Sequence, residues 1–143
     1  MTPDELARLD DKGMAAWEAH KPDEFAALFA DRFVWQDDAV PEEITSAAGV
    51  RDYMSQWFTA FPDMHSVETN RVIGDDSVAV EIEFTGTNSG PLRMGGRDIP
   101  ATGRSVTGHG TYFVRAENGK IVEFHTHPDT TGMMMQLGLM PAS

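Results

Sequence analysis

The chain has 143 residues, no cysteine and a formal net charge of −12. That length suits one domain over residues 1–143 that buries about two-thirds of its unfolded surface, and the missing cysteines exclude disulfides and thiolate chemistry. The acidic balance argues against nucleic acid and anionic membranes as partners; no apolar run approaches the ~20 residues of a membrane span, and MTPDELARLDDKG lacks the basic and apolar segments of a secretion signal, which makes the cytoplasm the expected location.

Thr2 or Asp4 is placed to cap a first helix, in which Leu6, Leu9, Gly13 and Trp17 recur at helical spacing. Lys21-Pro22-Asp23 breaks it and begins a short second helix, Glu24 to Ala30, with Phe25, Leu28 and Phe29 turned inward. Phe33-Val34-Trp35 reads as a strand running into an acidic loop, where Asp37 and Asp38 are expected to be solvated. A third helix, Gly49 to Phe61, carries Tyr53, Trp57, Phe58 and Phe61 and ends at Pro62. Met64 to Ile73 and Ser77 to Thr87 read as strands joined at Gly74-Asp75-Asp76, the second with a buried stripe of Val78, Val80, Ile82 and Phe84. A loop rich in glycine and proline, Asn88 to Gly103, precedes a final hairpin from Arg104 to Asp129, and a short Met-rich helix closes the chain.

The final hairpin carries the chemistry. Asn118-Gly119 is a two-residue turn whose residues tolerate positive φ. Strict alternation after it puts Ile121, Glu123, His125, His127 and Asp129 on one face. An unbroken register pairs Val114 with Glu123, Tyr112 with His125, Gly110 with His127 and Gly108 with Asp129, so the two glycines are expected to leave space beside the titratable groups. His109 then points the other way, unless a bulge intervenes near Gly108 to Gly110. His125-Thr126-His127-Pro128-Asp129 also has an H-x-H-x-D form, with imidazoles about 7 Å apart along a strand. Thr130 stands where a further histidine usually follows in metal sites, and no metal is expected.

Helices followed by a strongly bent, mainly antiparallel sheet give an α+β layer architecture with a cone-shaped cavity. The order and spacing of Trp17, His20-Lys21-Pro22-Asp23, Val34-Trp35, Trp57-Phe58-Thr59-Ala60-Phe61-Pro62-Asp63, Gly90-Pro91-Leu92, Pro100-Ala101-Thr102-Gly103-Arg104, Gly119-Lys120-Ile121, Glu123, Asp129 and Gln136-Leu137-Gly138-Leu139 resemble the SnoaL-like polyketide cyclase branch of the nuclear transport factor 2-like superfamily. The resemblance implies three N-terminal helices on a curved sheet and a homodimer through the outer sheet face. It also implies an aldol-type cyclisation without a cofactor, with Asp129 in the place of the cyclases' general acid/base. Two positions depart from the family pattern: Asn88 stands where a histidine is common, and His125 where an aromatic residue is.

The expected ligand is a small, largely apolar carbonyl compound. Asp129 is the expected acid/base, a role that needs its pKa raised from about 4 by an apolar pocket; its position also suits an N-cap for the last helix. His127 is the expected partner, His125 sits deeper beside Tyr112, and Trp35, Trp57, Tyr112 and Phe61 are the expected substrate-binding residues. Isomerisation is the related reaction, and a non-catalytic domain binding a small hydrophobic ligand is the alternative.

Overall fold

The computed structural model describes residues 1–94 and 96–140. Helix α1 (Pro3–Glu18) starts at a reciprocal cap: the Glu5 N–H donates to Thr2 Oγ1 and the Thr2 N–H to Glu5 Oε1, each at 3.1 Å. Its inward stripe holds Leu6, Leu9 and Ala16, and also Asp10, which is buried. Helix α2 (Pro22–Ala26) is shorter than expected. The chain leaves it early because the Ile121 N–H donates to Leu28 O at 2.9 Å, and Phe29 pairs with Ile121 as the start of strand β1 (Phe29–Asp37). Helix α3 (Ala47–Ala60) begins at Ser46, whose Oγ accepts from the Gly49 N–H at 3.1 Å. The helices therefore do not all precede the sheet, since β1 lies between α2 and α3.

Strands β2 (His65–Ile73) and β3 (Ser77–Thr87) form a hairpin, and β6 (Ser105–Glu117) and β7 (Lys120–Pro128) form another. The five-stranded sheet runs β1-β7-β6-β3-β2, antiparallel except where β1 lies parallel to β7. Within Asn88 to Gly103, a small ribbon of β4 (Leu92–Met94) and β5 (Arg97–Ile99) packs near α3. Helix α4 (Thr130–Gln136) closes the fold. Among the described residues, no helix is long and apolar enough to cross a membrane.

The β6–β7 turn forms as expected, with Asn118 at φ 52° and Gly119 at φ 81°. The register beyond it does not. Glu117 pairs with Lys120 and Ala116 with Ile121, but Arg115 pairs with Glu123, which leaves Val122 as the extra residue of a bulge. From there Val114 faces Phe124, Tyr112 faces Thr126 and Gly110 faces Pro128. A slip of one residue exchanges the two faces of a strand. Phe124, Thr126 and Pro128 therefore look into the fold, and Glu123, His125 and His127 look out.

The same register assembles one inward row across all five strands: Asp37, Thr126, Tyr112, Val80 and Arg71. The flanking row, Trp35, Phe124, Val114, Val78 and Ile73, belongs to the main core against α1, α2 and α3.

Candidate functional site

Between the helices and the concave sheet face lies a cavity of about 100 Å³. Trp17, Phe25, Trp35, Tyr53, Trp57, Ile82 and Phe124 give it an apolar wall. Cavities on the order of this size accept one small ring. Its polar side chains are few and fall mainly at two places, with the buried Ser66 hydroxyl, which has no hydrogen-bond partner among the described residues, apart from both.

At one, Asp37 ends β1 with its side chain inside the fold. Asp37 Oδ2 accepts from Tyr53 Oη–H and from Thr126 Oγ1–H, each at 2.5 Å, and Oδ1 accepts from the Ala39 N–H at 2.8 Å. Thr126 in turn accepts from Trp35 Nε1–H at 2.9 Å. Burial, then the adjacent Asp37 charge and hydrogen bond, push the Tyr53 hydroxyl well above its ordinary pKa, so it keeps its proton.

At the other, Tyr112 Oη–H donates to Asp10 Oδ1. Arg71 Nη1 lies 3.1 Å from Asp10 Oδ2 and 2.7 Å from Asp11 Oδ1, and its Nε is 3.3 Å from Glu68 Oε1. Burial raises Tyr112, with the Asp10 charge adding to it. Glu68 is pushed up to about 7, first by burial, then by its hydrogen bond to Asp10 and that residue's charge, with Arg71 opposing. Asp10 is the one carboxylate among the described residues lining the cavity.

A second cavity of about 180 Å³ shares Tyr53 and Trp57 with the first and is bounded by Asp37, Val40, Gln56, Leu92 and Met94. The two chambers therefore share one wall.

Of the expected binding residues, Trp35, Trp57 and Tyr112 line the first cavity. Phe61 is fully buried in a second core cluster with Met64, Phe84 and Leu92. The titratable groups of the last strand lie elsewhere, as its shifted register requires. His127 Nδ1 sits 3.0 Å from both carboxylate oxygens of Asp38, and its ring meets Phe113 edge-on at 6.0 Å. His125 Nε2 lies 3.6 Å from Glu123 Oε2. His109 also faces outward, 3.4 Å from Glu83. The Asp129 carboxylate is exposed and caps α4, where its Oδ1 accepts from the Gly132 N–H at 2.9 Å. The expected space beside Gly108 is filled by the Phe84 ring, while Gly110 does line the cavity.

Asp37, which the sequence suggested was solvated, is buried, and Asp10, Tyr53 and Thr126 were not singled out as site residues at all. A signal was present for two of them. Asp10 falls on the Leu6, Leu9, Gly13 and Trp17 stripe, and Asp37 continues the alternation of Phe33 and Trp35. Asn88 is fully buried as a clamp: Nδ2 donates to Ala60 O and Gly90 O, and Oδ1 accepts from the Thr102 N–H and hydroxyl.

A curved sheet with helices over its concave face and a polar-tipped apolar cavity beneath them defines a small-molecule pocket protein of the α+β cone type. The chain belongs to the SnoaL-like polyketide cyclase family, whose model matches residues 7–137. Its fold is similar to that of AclR from Streptomyces galilaeus, at 24% identity and TM-score 0.83 over 98% of this chain and 100% of that one. It is similar also to IdmH from Streptomyces antibioticus, at 23% and 0.77 over 96% and 99%. An NTF2-like protein of unknown function from Burkholderia pseudomallei matches at 17% and 0.76 over 96% and 98%. Comparison with curated proteins returns no match.

Proposed function

We propose that the chain binds a small, largely apolar carbonyl compound in the first cavity and catalyses its aldol-type cyclisation or isomerisation by proton transfer, without a cofactor. One observation carries the reading: in an otherwise apolar wall a single carboxylate, Asp10, faces the cavity, held by Tyr112 and Arg71. The Asp10 carboxylate takes a proton from the carbon next to the carbonyl. In cyclisation, the enolate carbon bonds to a second carbonyl carbon, and the proton held on Asp10 passes to the new alkoxide. In isomerisation, the same proton returns to a different carbon. Glu68, partly exposed and hydrogen-bonded to Asp10, is pushed up to about 7, a value suited to exchanging that proton with water.

Asp129 is the second candidate, because it follows Pro128, which lines the cavity, and stands where the family resemblance puts the cyclases' aspartate. To act there, its carboxylate must leave the Gly132 N–H. The outer sheet face supports a homodimer, since Val72, Ala79 and Phe113 form one outward row in which Val72 is 59% and Phe113 48% exposed.

The test is deuterium exchange at the α carbons of cyclohexanone in D₂O, followed by NMR. Acceleration is expected with the native chain and with Asp129→Asn, and a loss of at least a hundredfold with Asp10→Asn. The opposite pattern in the two variants would transfer the role to Asp129. Saturable binding without acceleration would make the chain a binding domain rather than an enzyme.

A further inference from the structure

Among the described residues, Ser66 on β2 alone has a buried side-chain polar atom without a hydrogen-bond partner. The residue is 6% exposed and lines the cavity together with Met64 and its cross-strand partner Phe84. A buried hydroxyl left unpaired carries a cost that alanine or valine in the same wall would not. Its backbone is held firmly. The Ser66 N–H donates to Glu18 Oε2 at 3.1 Å, and His65 Nδ1 lies 2.9 Å from the same oxygen. Helix α1 and strand β2 together therefore fix the hydroxyl at the cavity wall.

Ser66 and Asp10 stand at opposite ends of that cavity. Asp10, Gly13, Met14 and Trp17 line it in order along α1. Glu18, which holds Ser66, comes eight residues after Asp10, or about 12 Å at helical rise. On the sheet, Ser66 pairs with Phe84 and Arg71 with Val80, four positions of β3 apart, or about 13 Å at strand rise. The Ile82 and Gly110 row lies between these two, and Gly110 has no side chain to close the floor there. With a hydrogen bond of about 2.8 Å at either end, the remaining span suits one six-membered ring with oxygen on opposite carbons. The cavity volume accepts a ring of that size.

We infer that Ser66 is a specificity-determining residue, whose hydroxyl binds a second, non-reacting oxygen of the ligand while the reacting carbonyl lies at Asp10. The inference rests on the cavity reading above and narrows its substrate class to ring carbonyl compounds oxygenated on the carbon opposite the carbonyl. A ketone or ether oxygen accepts from the serine hydroxyl, and a ligand hydroxyl can also donate to it. Ser66 moves no proton in the reaction. It sets where the ring sits, and so which carbon faces the Asp10 carboxylate. Trp17 and Trp57 also bring indole N–H groups to the wall. That of Trp57 is set against the Tyr53 oxygen. Trp17, next to Glu18 on α1, is the donor that competes with Ser66 for the same ligand oxygen, so both residues are varied in the test.

NMR titration of the full chain compares 1,4-cyclohexanedione with 4-methylcyclohexanone. The two share a ring and a carbonyl and differ in bearing an oxygen or a methyl on the opposite carbon. The native chain is expected to bind the dione on the order of tenfold more tightly, the scale of one hydrogen bond in a buried site. In Ser66→Ala the preference is expected to vanish or reverse through loss of dione affinity, while Tm holds or rises because an unpaired hydroxyl has gone. Trp17→Phe is expected to keep the preference. No preference in the native chain, or one that survives Ser66→Ala, overturns the inference and leaves the cavity reading standing; in the second case, its loss in Trp17→Phe moves the contact to the indole. A lowered Tm in Ser66→Ala, the mark of a hydroxyl bonded within the protein, overturns it as well. Binding of neither ring overturns both.

Discussion

Gly108 and Gly110 stand two residues apart on one face of β6 and give opposite expectations for the same substitution. A Cβ built on Gly108 lies 2.2 Å from Phe84 Cζ and 2.4 Å from Cε1. That ring is 3% exposed and packed edge-on to Trp57 at 5.8 Å, so it can yield only by tilting off Trp57 into the cavity it borders. Overpacking of this kind costs about 1–3 kcal/mol. In a chain of 143 residues each kcal/mol moves Tm by about 3 °C, so Gly108→Ala should lower Tm by roughly 3–10 °C. A Cβ on Gly110 meets Pro128 Cα at 3.4 Å and Ile82 Cγ1 at 3.7 Å, ordinary contacts at the cavity wall. Replacing a strand glycine there removes its backbone-entropy cost of about 0.5–1 kcal/mol, so Gly110→Ala should hold or raise Tm by up to about 3 °C. The new methyl enters a cavity of only about 100 Å³, and cyclohexanone binding should weaken. Thermal unfolding by circular dichroism together with an NMR titration with cyclohexanone reads both effects. A Gly108→Ala protein as stable as the native one, or a Gly110→Ala protein that binds the ring unchanged, would refute the placement of these strands around the cavity.

Three further outcomes are expected. Tyr53→Phe removes one of the donors that stabilise the buried Asp37 carboxylate, leaving Thr126 and Ala39, and should cost about 1.5–3 kcal/mol in denaturant unfolding. Glu68 has its folded pKa raised to about 7 from 4.5, so the folded state binds the extra proton between those values and loses that stability as pH rises through 7. Glu68→Gln should therefore flatten stability between pH 5 and 8 and gain on the order of 1 kcal/mol at pH 8, after solvent screening is allowed for; a variant that keeps the native pH slope would remove Glu68 as its source. Phe113→Lys places a charge in the outward Val72, Ala79 and Phe113 row and should shift sedimentation towards monomer, whereas an unchanged profile would move the interface elsewhere.

Periodicity made most of the architecture readable. The stripe Val78, Val80, Ile82 and Phe84, the first helix and the Asn118-Gly119 turn each had one local interpretation, and the structure has them, with Thr2 rather than Asp4 as the helix cap. The site was less readable because it depends on one residue. Val122, the bulged position, changes which side of β7 faces the cavity, and nothing within the strand announces a bulge. The apolar content of Phe124 and Pro128 against Glu123, His125 and His127 did favour the face that is buried. The histidines outweighed it because clustered titratable groups suggest chemistry. Asp10 and Asp37 were obscured differently: each is an acid on an apolar stripe, intelligible only once Tyr112, Tyr53 and Thr126 arrive from distant parts of the chain.

That last dependence bears on how the molecule assembles. The hydrogen bond from Thr126 to Asp37 spans 89 residues, and that from Tyr112 to Asp10 spans 102. The parallel pairing of β1 with β7 joins the first strand in chain order with the last. Until β7 emerges, β1 has an open edge, Asp37 lacks Thr126, and the aromatic wall of the cavity has no Phe124 to close it. Contacts of such sequence separation form slowly. The nascent chain thus holds an unpaired apolar strand and a half-built pocket for most of its synthesis, an interval in which its high negative charge keeps neighbouring copies apart.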